Sequence, residues 1–199
     1  MPRLNAEQRL NHRQRIVDAA WRSVARTGYC DLRVADICAE AGVSKGSFYL
    51  YFKRKHDVLF ALLDEDATAL EDRVRATIMS NRPGLSRLRL FAEVMLADHE
   101  DQARMQVRAD LWAETFRERE VRDRFVERLE RRRRLLSEAL AEGIRSGEYG
   151  GGVPATTLAR LILAIVDGLM FHAAAAPQSM QWANVRRGVD RLLVGLATR

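Results

Sequence analysis

The chain has 199 residues, 47% of them apolar and 30% charged, with a formal net charge of +6. That balance excludes a disordered chain, and with no run near 18 consecutive apolar residues no membrane partner is expected. Two cysteines, Cys30 and Cys38, and four scattered histidines make no zinc-ligand pattern, so neither a metal nor a cofactor is expected. The first residues, MPRLNAEQRLNHRQR, lack the apolar core of a secretory signal. The expected compartment is therefore the cytoplasm, where thiols stay reduced.

Placement of charge says more than its size. Residues 1–56 hold eleven Lys and Arg against five Asp and Glu, whereas residues 57–199 hold twenty-two of each. All three lysines (Lys45, Lys53, Lys55) fall in the first part. Such an asymmetry marks a module that meets a polyanion.

Helical spacing runs almost throughout, and the expected fold is all-α with about nine helices. Ile16, Ala19, Ala20 and Val24 share one helix face, and Gly28 stops that helix. Val34, Ile37, Cys38 and Ala41 repeat the pattern until Gly42. Ser44 is placed to cap a third, short helix running to Phe52. A long fourth helix starts near Asp57 with Val58, Leu59, Leu62, Leu63, Ala67 and Leu70 as its stripe. Arg82-Pro83-Gly84 breaks the chain. Further helices are expected from Leu85 to about Asp98, Asp101 to Phe116 and Val121 to Ser146. Four glycines and Pro154 make 147–154 a loop. Two last helices are split by Pro177. The division expected is a helix-turn-helix domain over 1–56 and a helical ligand-binding and dimerisation domain over 57–199.

Within the third helix, Phe48 and Phe52 lie about 40° apart at about 100° per residue and share the inner face. Gly46 and Leu50 point the other way, with Ser47 and Tyr49 beside them. A glycine on an outer face admits close approach of another surface. Around it stand Lys45, Tyr51 and Lys55, donors suited to phosphate oxygens. A short helix, a turn at Ala41-Gly42-Val43 and a second short helix constitute a helix-turn-helix sized for a major groove. GVSKGS lacks the order of a nucleotide-binding phosphate loop. No nucleophile elbow or paired zinc histidines accompany it, so no catalytic residue is expected.

Residues 13–59 resemble the N-terminal domain of the TetR family of bacterial transcriptional regulators. The likeness rests on Arg15-Ile-Val-Asp-Ala-Ala20, Gly28-Tyr29, Val34-Ala-Asp-Ile37, the run Ala41-Gly-Val-Ser-Lys-Gly-Ser-Phe-Tyr-Leu-Tyr-Phe52, Lys55 and Leu59. The resemblance implies phosphate or base contacts from Ser44, Lys45, Ser47, Tyr49, Tyr51 and Lys55, with Gly46 allowing approach. Ser47 and Leu50 are the residues best placed for base edges. Where the family has a phosphate-touching threonine this chain has Leu32, and Arg33 is expected to supply that contact. The remainder is similar to the BetI-type subgroup in layout only.

Leu158, Leu161, Ile162, Ile165, Val166, Leu169 and Met170 cover one face of the eighth helix. Val185, Val189, Leu192, Leu193 and Leu196 do so for the last. Both faces suit either a core or a homodimeric four-helix interface, and the resemblance favours the interface. Met95, His99, Trp112, Phe116, Met170, Phe171 and His172 are candidates to line a small-molecule cavity. The leading expectation is a homodimeric repressor released from a palindromic double-stranded operator by a small-molecule effector. The alternatives are a small-molecule-binding enzyme with a basic N-terminal module and a non-specific DNA-coating protein.

Overall fold

In the computed structural model, residues 6–80, 84–97, 101–150 and 152–197 are described, and among them every regular element is a helix. In chain order these are α1 (Ala6–Asp31), α2 (Val34–Ala41), α3 (Lys45–Tyr51), α4 (Lys55–Ser80), α5 (Leu85–Leu96), α6 (Gln102–Arg117), α7 (Arg119–Arg145), α8 (Ala155–Ala175) and α9 (Trp182–Ala197). A 3-10 turn at Pro177–Ser179 separates the last two.

Helix α1 buries Ile16, Ala19, Ala20 and Val24 as its spacing demands. Its regular course ends at Gly28, whose φ of 75° only glycine adopts without strain. A last turn then carries Tyr29 back into the core. Helix α2 closes on Gly42 in the left-handed region (φ 63°), whose N–H donates to the Ala39 carbonyl while that of Val43 donates to Cys38.

Two boundaries differ from expectation. Helix α4 begins at Lys55, because the Asp57 carboxylate reaches back to accept the N–H groups of Lys53 (2.8 Å) and Arg54 (3.0 Å). Helices α6 and α7 are separated by Glu118 alone, in extended conformation. With no glycine or proline between Arg117 and Glu120 to break a helix, one extended residue suffices to turn the chain.

Two hydrophobic cores result. The first joins Ile16, Val24, Ile37, Phe48 and Phe52 to Val58–Leu62 of α4, and also takes Val107 from α6 and Val121 from α7. The second packs α5, α7 and α8 through Leu88, Phe91, Leu136, Leu140, Leu158 and Val166, with Leu193 of α9. The sequence boundary at residue 56 thus falls at the start of α4, whose first two turns complete the first core. By length and composition α8 could cross a bilayer, but here one face lies in the second core and Asp167 pairs with Arg132 at 3.5 Å.

Candidate nucleic-acid interface and ligand cavity

The α3 surface is organised from its cap. The Ser44 hydroxyl accepts the N–H of Ser47 at 3.1 Å. Phe48 and Phe52 pack inward, their ring centres 5.7 Å apart, with the Arg13 guanidinium over Phe52. That inward set leaves Lys45, Gly46, Tyr49 and Leu50 outside; Leu50 is 80% and Tyr49 54% exposed. Ser47 is half-exposed beside them. Arg33 is exposed at the start of α2, where its backbone N–H donates to Asp36 at 3.1 Å. Leu32, at the position of the family's threonine, is buried.

Tyr51 and Lys55 are engaged with α1. Tyr51 is half-buried and lies parallel to His12, the ring centres 6.5 Å apart. The Lys55 ammonium donates to the carbonyls of Tyr29 (3.0 Å) and Cys30 (3.3 Å), 4.4 Å from the centre of the Tyr29 ring. The cause is the break at Gly28, which leaves carbonyls at the end of α1 without helical donors. Lys55 therefore ties α4 to α1 with two of its three N–H bonds.

The same end of α1 is tied to α6. The Tyr29 N–H donates to Asp110 Oδ2 at 2.8 Å, and a Cβ at Gly28 would sit 3.2 Å from that oxygen. Burial, with Glu114 and Glu118 nearby, pushes the Tyr29 phenol up. Glu114 accepts from Arg117 at 3.0 Å. Asp66 of α4 accepts from Arg104 (3.1 Å) and from both Nε and Nη2 of Arg108 (2.9 and 3.1 Å). Helix α6 thus touches the first core with Val107 and α4 with its arginines.

One turn further along α6, a cavity of about 90 Å³ opens between α4, α6, α7 and α8. Met95, Trp112 and Met170 line it, as the sequence indicates. Phe116 does not: it is 87% exposed, because α6 turns Thr115 inward instead. Phe171 and His172 are also exposed, Phe171 stacking on Trp112 at 5.7 Å. His99 lies outside the described residues. The lining that sequence reasoning missed includes the polar Asp66, Arg108, Thr115, Arg128 and Arg132. A signal existed. Phe125, Arg128, Arg132, Leu136 and Leu140 fall on one face of α7, so two arginines occupy inward positions of an otherwise apolar stripe. The run Arg131–Arg134 is not the solvated face its composition suggests, since Arg131 and Arg133 pair with Glu71 and Glu130 while Arg132 faces Asp167. Burial pushes the Asp167 carboxyl up against the pull of Arg132.

On α8 and α9, Leu161 and Ile165 remain exposed alongside Leu192 and Val194. Val189 and Leu193 face the second core, and the Leu196 side chain lies outside the described residues.

Comparison with known proteins yields two family models. Residues 16–62 match bacterial regulatory proteins of the tetR family, and residues 84–198 match the C-terminal domain of BetI-type transcriptional repressors. A curated relative, the fatty acid metabolism regulator protein of Bacillus subtilis, is 28% identical over 183 residues, covering 90% of this chain and 92% of that protein. The structure of FadR from Bacillus subtilis in complex with stearoyl-CoA superposes with a TM-score of 0.79 at 28% identity, over 91% and 97% of the two chains. A putative regulator from Saccharomonospora viridis in complex with choline shares the fold, with a TM-score of 0.83 at 23% identity over 96% and 100%.

Proposed function

Because the chain belongs to the TetR family of bacterial regulatory proteins and carries a BetI-type C-terminal domain, we propose that it is a cytoplasmic homodimeric repressor whose paired α3 helices read a palindromic operator. The chain is a DNA-binding transcriptional regulator under small-molecule control, and acts by binding rather than by turnover. The observation that carries the operator reading is the α3 surface: Lys45, Gly46, Tyr49 and Leu50 all face outward while Phe48 and Phe52 hold the helix from within. Ser44 and Ser47 add hydroxyls at the helix start, and Arg33 adds a cation beside them. Tyr51 and Lys55 act in this scheme chiefly by fixing α3 and α4 on α1.

The dimer forms through α8 and α9, which leave Leu161, Ile165, Leu192 and Val194 in water. A symmetric pairing covers them and sets the two α3 helices one or more DNA turns apart, at about 34–36 Å or a multiple. An effector enters the cavity lined by α4 and α6. Both helices also pack in the first core, so a ligand that prefers one placement of α6 changes the separation of the two DNA-binding units. A coupling of about 1–3 kcal/mol lowers operator affinity roughly 5–150-fold.

Selection of genomic fragments at fixed salt tests this reading. One enriched palindrome is the expected result. Binding indifferent to sequence indicates a DNA coater, and conversion of a bound small molecule indicates an enzyme.

The two lysines give a sharper check. Lys45→Ala should flatten the slope of log K against log salt by about 0.9, the signature of one lost phosphate contact, with Tm unchanged. Lys55→Ala should lower Tm, since it removes the two bonds to Tyr29 and Cys30, each contributing about 1 kcal/mol. An unchanged Tm for Lys55→Ala, with a flattened slope, would return that residue to the phosphate face.

A further inference from the structure

We infer that the cavity takes an apolar molecule bearing a single anionic head, a monocarboxylate, with that head seated on Arg128. This takes small-molecule control as its premise and adds the chemical class. Three guanidinium groups line the cavity against two carboxylates. Both carboxylates are already engaged, Asp66 by Arg104 and Arg108, and Asp167 by Arg132.

Arg128 is the lining cation whose carboxylate partner, Asp64, lies outside the lining. It is only 5% exposed, and its Nη2 donates to Asp64, a carboxylate half in water. Its Nη1 is buried with no acceptor among the described residues. A buried guanidinium nitrogen without an acceptor is costly, and a carboxylate oxygen is the charge-assisted acceptor that suits it best. Around that nitrogen the lining is apolar and polarisable: Trp112, Phe125, Met95 and Met170. Their chemistry suits a hydrocarbon chain or ring.

A quaternary ammonium fits poorly, although one bearing choline is held by a protein of the same fold. It offers no acceptor to Nη1, and it adds positive charge to a lining that already has an excess. A neutral amide satisfies Nη1 but leaves the charge excess in place.

The test is calorimetric titration of the full chain, after exhaustive dialysis and without DNA, with octanoate, octanamide and octylammonium. Octanoate is expected to bind at least about tenfold more tightly than octanamide, the margin of a charge-assisted hydrogen bond, with octylammonium the weakest. Arg128→Met should abolish the margin, weakening octanoate far more than octanamide and leaving the two at similar affinity. Should that variant not fold, Arg128→Lys is expected to keep a carboxylate preference while weakening octanoate, since a point charge replaces the guanidinium. Equal affinity for the three probes, tighter binding of the ammonium, or binding of none overturns the assignment. Failure of small-molecule control looks different: octanoate bound with its preference intact, yet unable to release the protein from a selected operator.

Discussion

Replacing Gly46 with glutamate is expected to cost operator affinity at least about 100-fold while making the folded protein slightly more stable. The two effects have opposite signs because the new side chain favours the helix itself but occupies the surface the duplex would meet. Gly46 is the second residue of α3 and is exposed. A Cβ added there meets only the Ser44 Oγ, at 3.7 Å, which is ordinary contact. Replacing glycine by alanine or glutamate raises helix propensity by about 0.5–1 kcal/mol. A carboxylate in the first turn adds about 0.3–1 kcal/mol through the helix dipole. Thermal unfolding should therefore move up by about 2–4 °C per kcal/mol. On the DNA side the same glutamate projects between Ser47, Leu50 and the duplex and repels its phosphates. The loss of one or two base-edge contacts at about 1–3 kcal/mol each accounts for the expected fall. Fluorescence anisotropy on the selected palindrome at fixed salt, beside a melting curve of the same sample, measures both. Retained affinity would show that α3 does not enter the groove. Gly46→Ala should fall between, with the same gain in stability from propensity and a smaller loss of affinity.

Gly143→Ala is expected to destabilise this fold's second half severely. A Cβ there would lie 2.0, 2.3 and 2.9 Å from three ring atoms of Tyr149. The ring has no easy retreat. Tyr149 is buried, and its hydroxyl donates to the Gly84 carbonyl at 2.6 Å while accepting the Gly84 N–H at 3.2 Å. The Gly143 carbonyl meanwhile accepts the N–H of Glu148 at 2.9 Å and the Ser146 hydroxyl at 3.0 Å, so the end of α7 is fixed as well. Overpacking costs about 1–3 kcal/mol, and displacing the ring adds about 1–3 kcal/mol for bonds to Gly84 left unmade in a buried site. The expected fall in Tm, at about 2–4 °C per kcal/mol, is roughly 4–24 °C. Calorimetry of Gly143→Ala, Tyr149→Ala and the double variant separates clash from general damage. In the double variant the methyl group has room, so the two losses should fall well short of adding. Additive losses would mean that the methyl group and the ring do not collide.

The DNA-binding half was readable in the chain because its signals are local. Gly42, the Ser44 cap and the Phe48/Phe52 pair act within ten residues of one another, and cap, turn and buried face appear where spacing put them. Helix number and class were readable for the same reason. The boundary of α4 was missed by two residues because a capping carboxylate, Asp57, reached backwards rather than forwards.

The cavity was half readable. Spacing marked Met95, Trp112 and Met170, which line it, but also Phe116, Phe171 and His172, which do not. A large apolar residue on a helix says that some face is buried, not which neighbour buries it. Lys55 illustrates the same limit: its charge and position suit a phosphate, yet a broken helix end twenty-six residues earlier claims its ammonium.

What the sequence determined alone was the set of helices, their caps and the outward chemistry of α3, since each depends on dihedral preferences and neighbours within one or two turns. What only the tertiary structure decided was which cations are free to work. Arg104, Arg108, Arg128 and Arg132 have their acidic partners 35 to 64 residues away along the chain. Pairing over such distances is set by how helices stack, and the stacking leaves the buried Nη1 of Arg128 without an acceptor among the described residues.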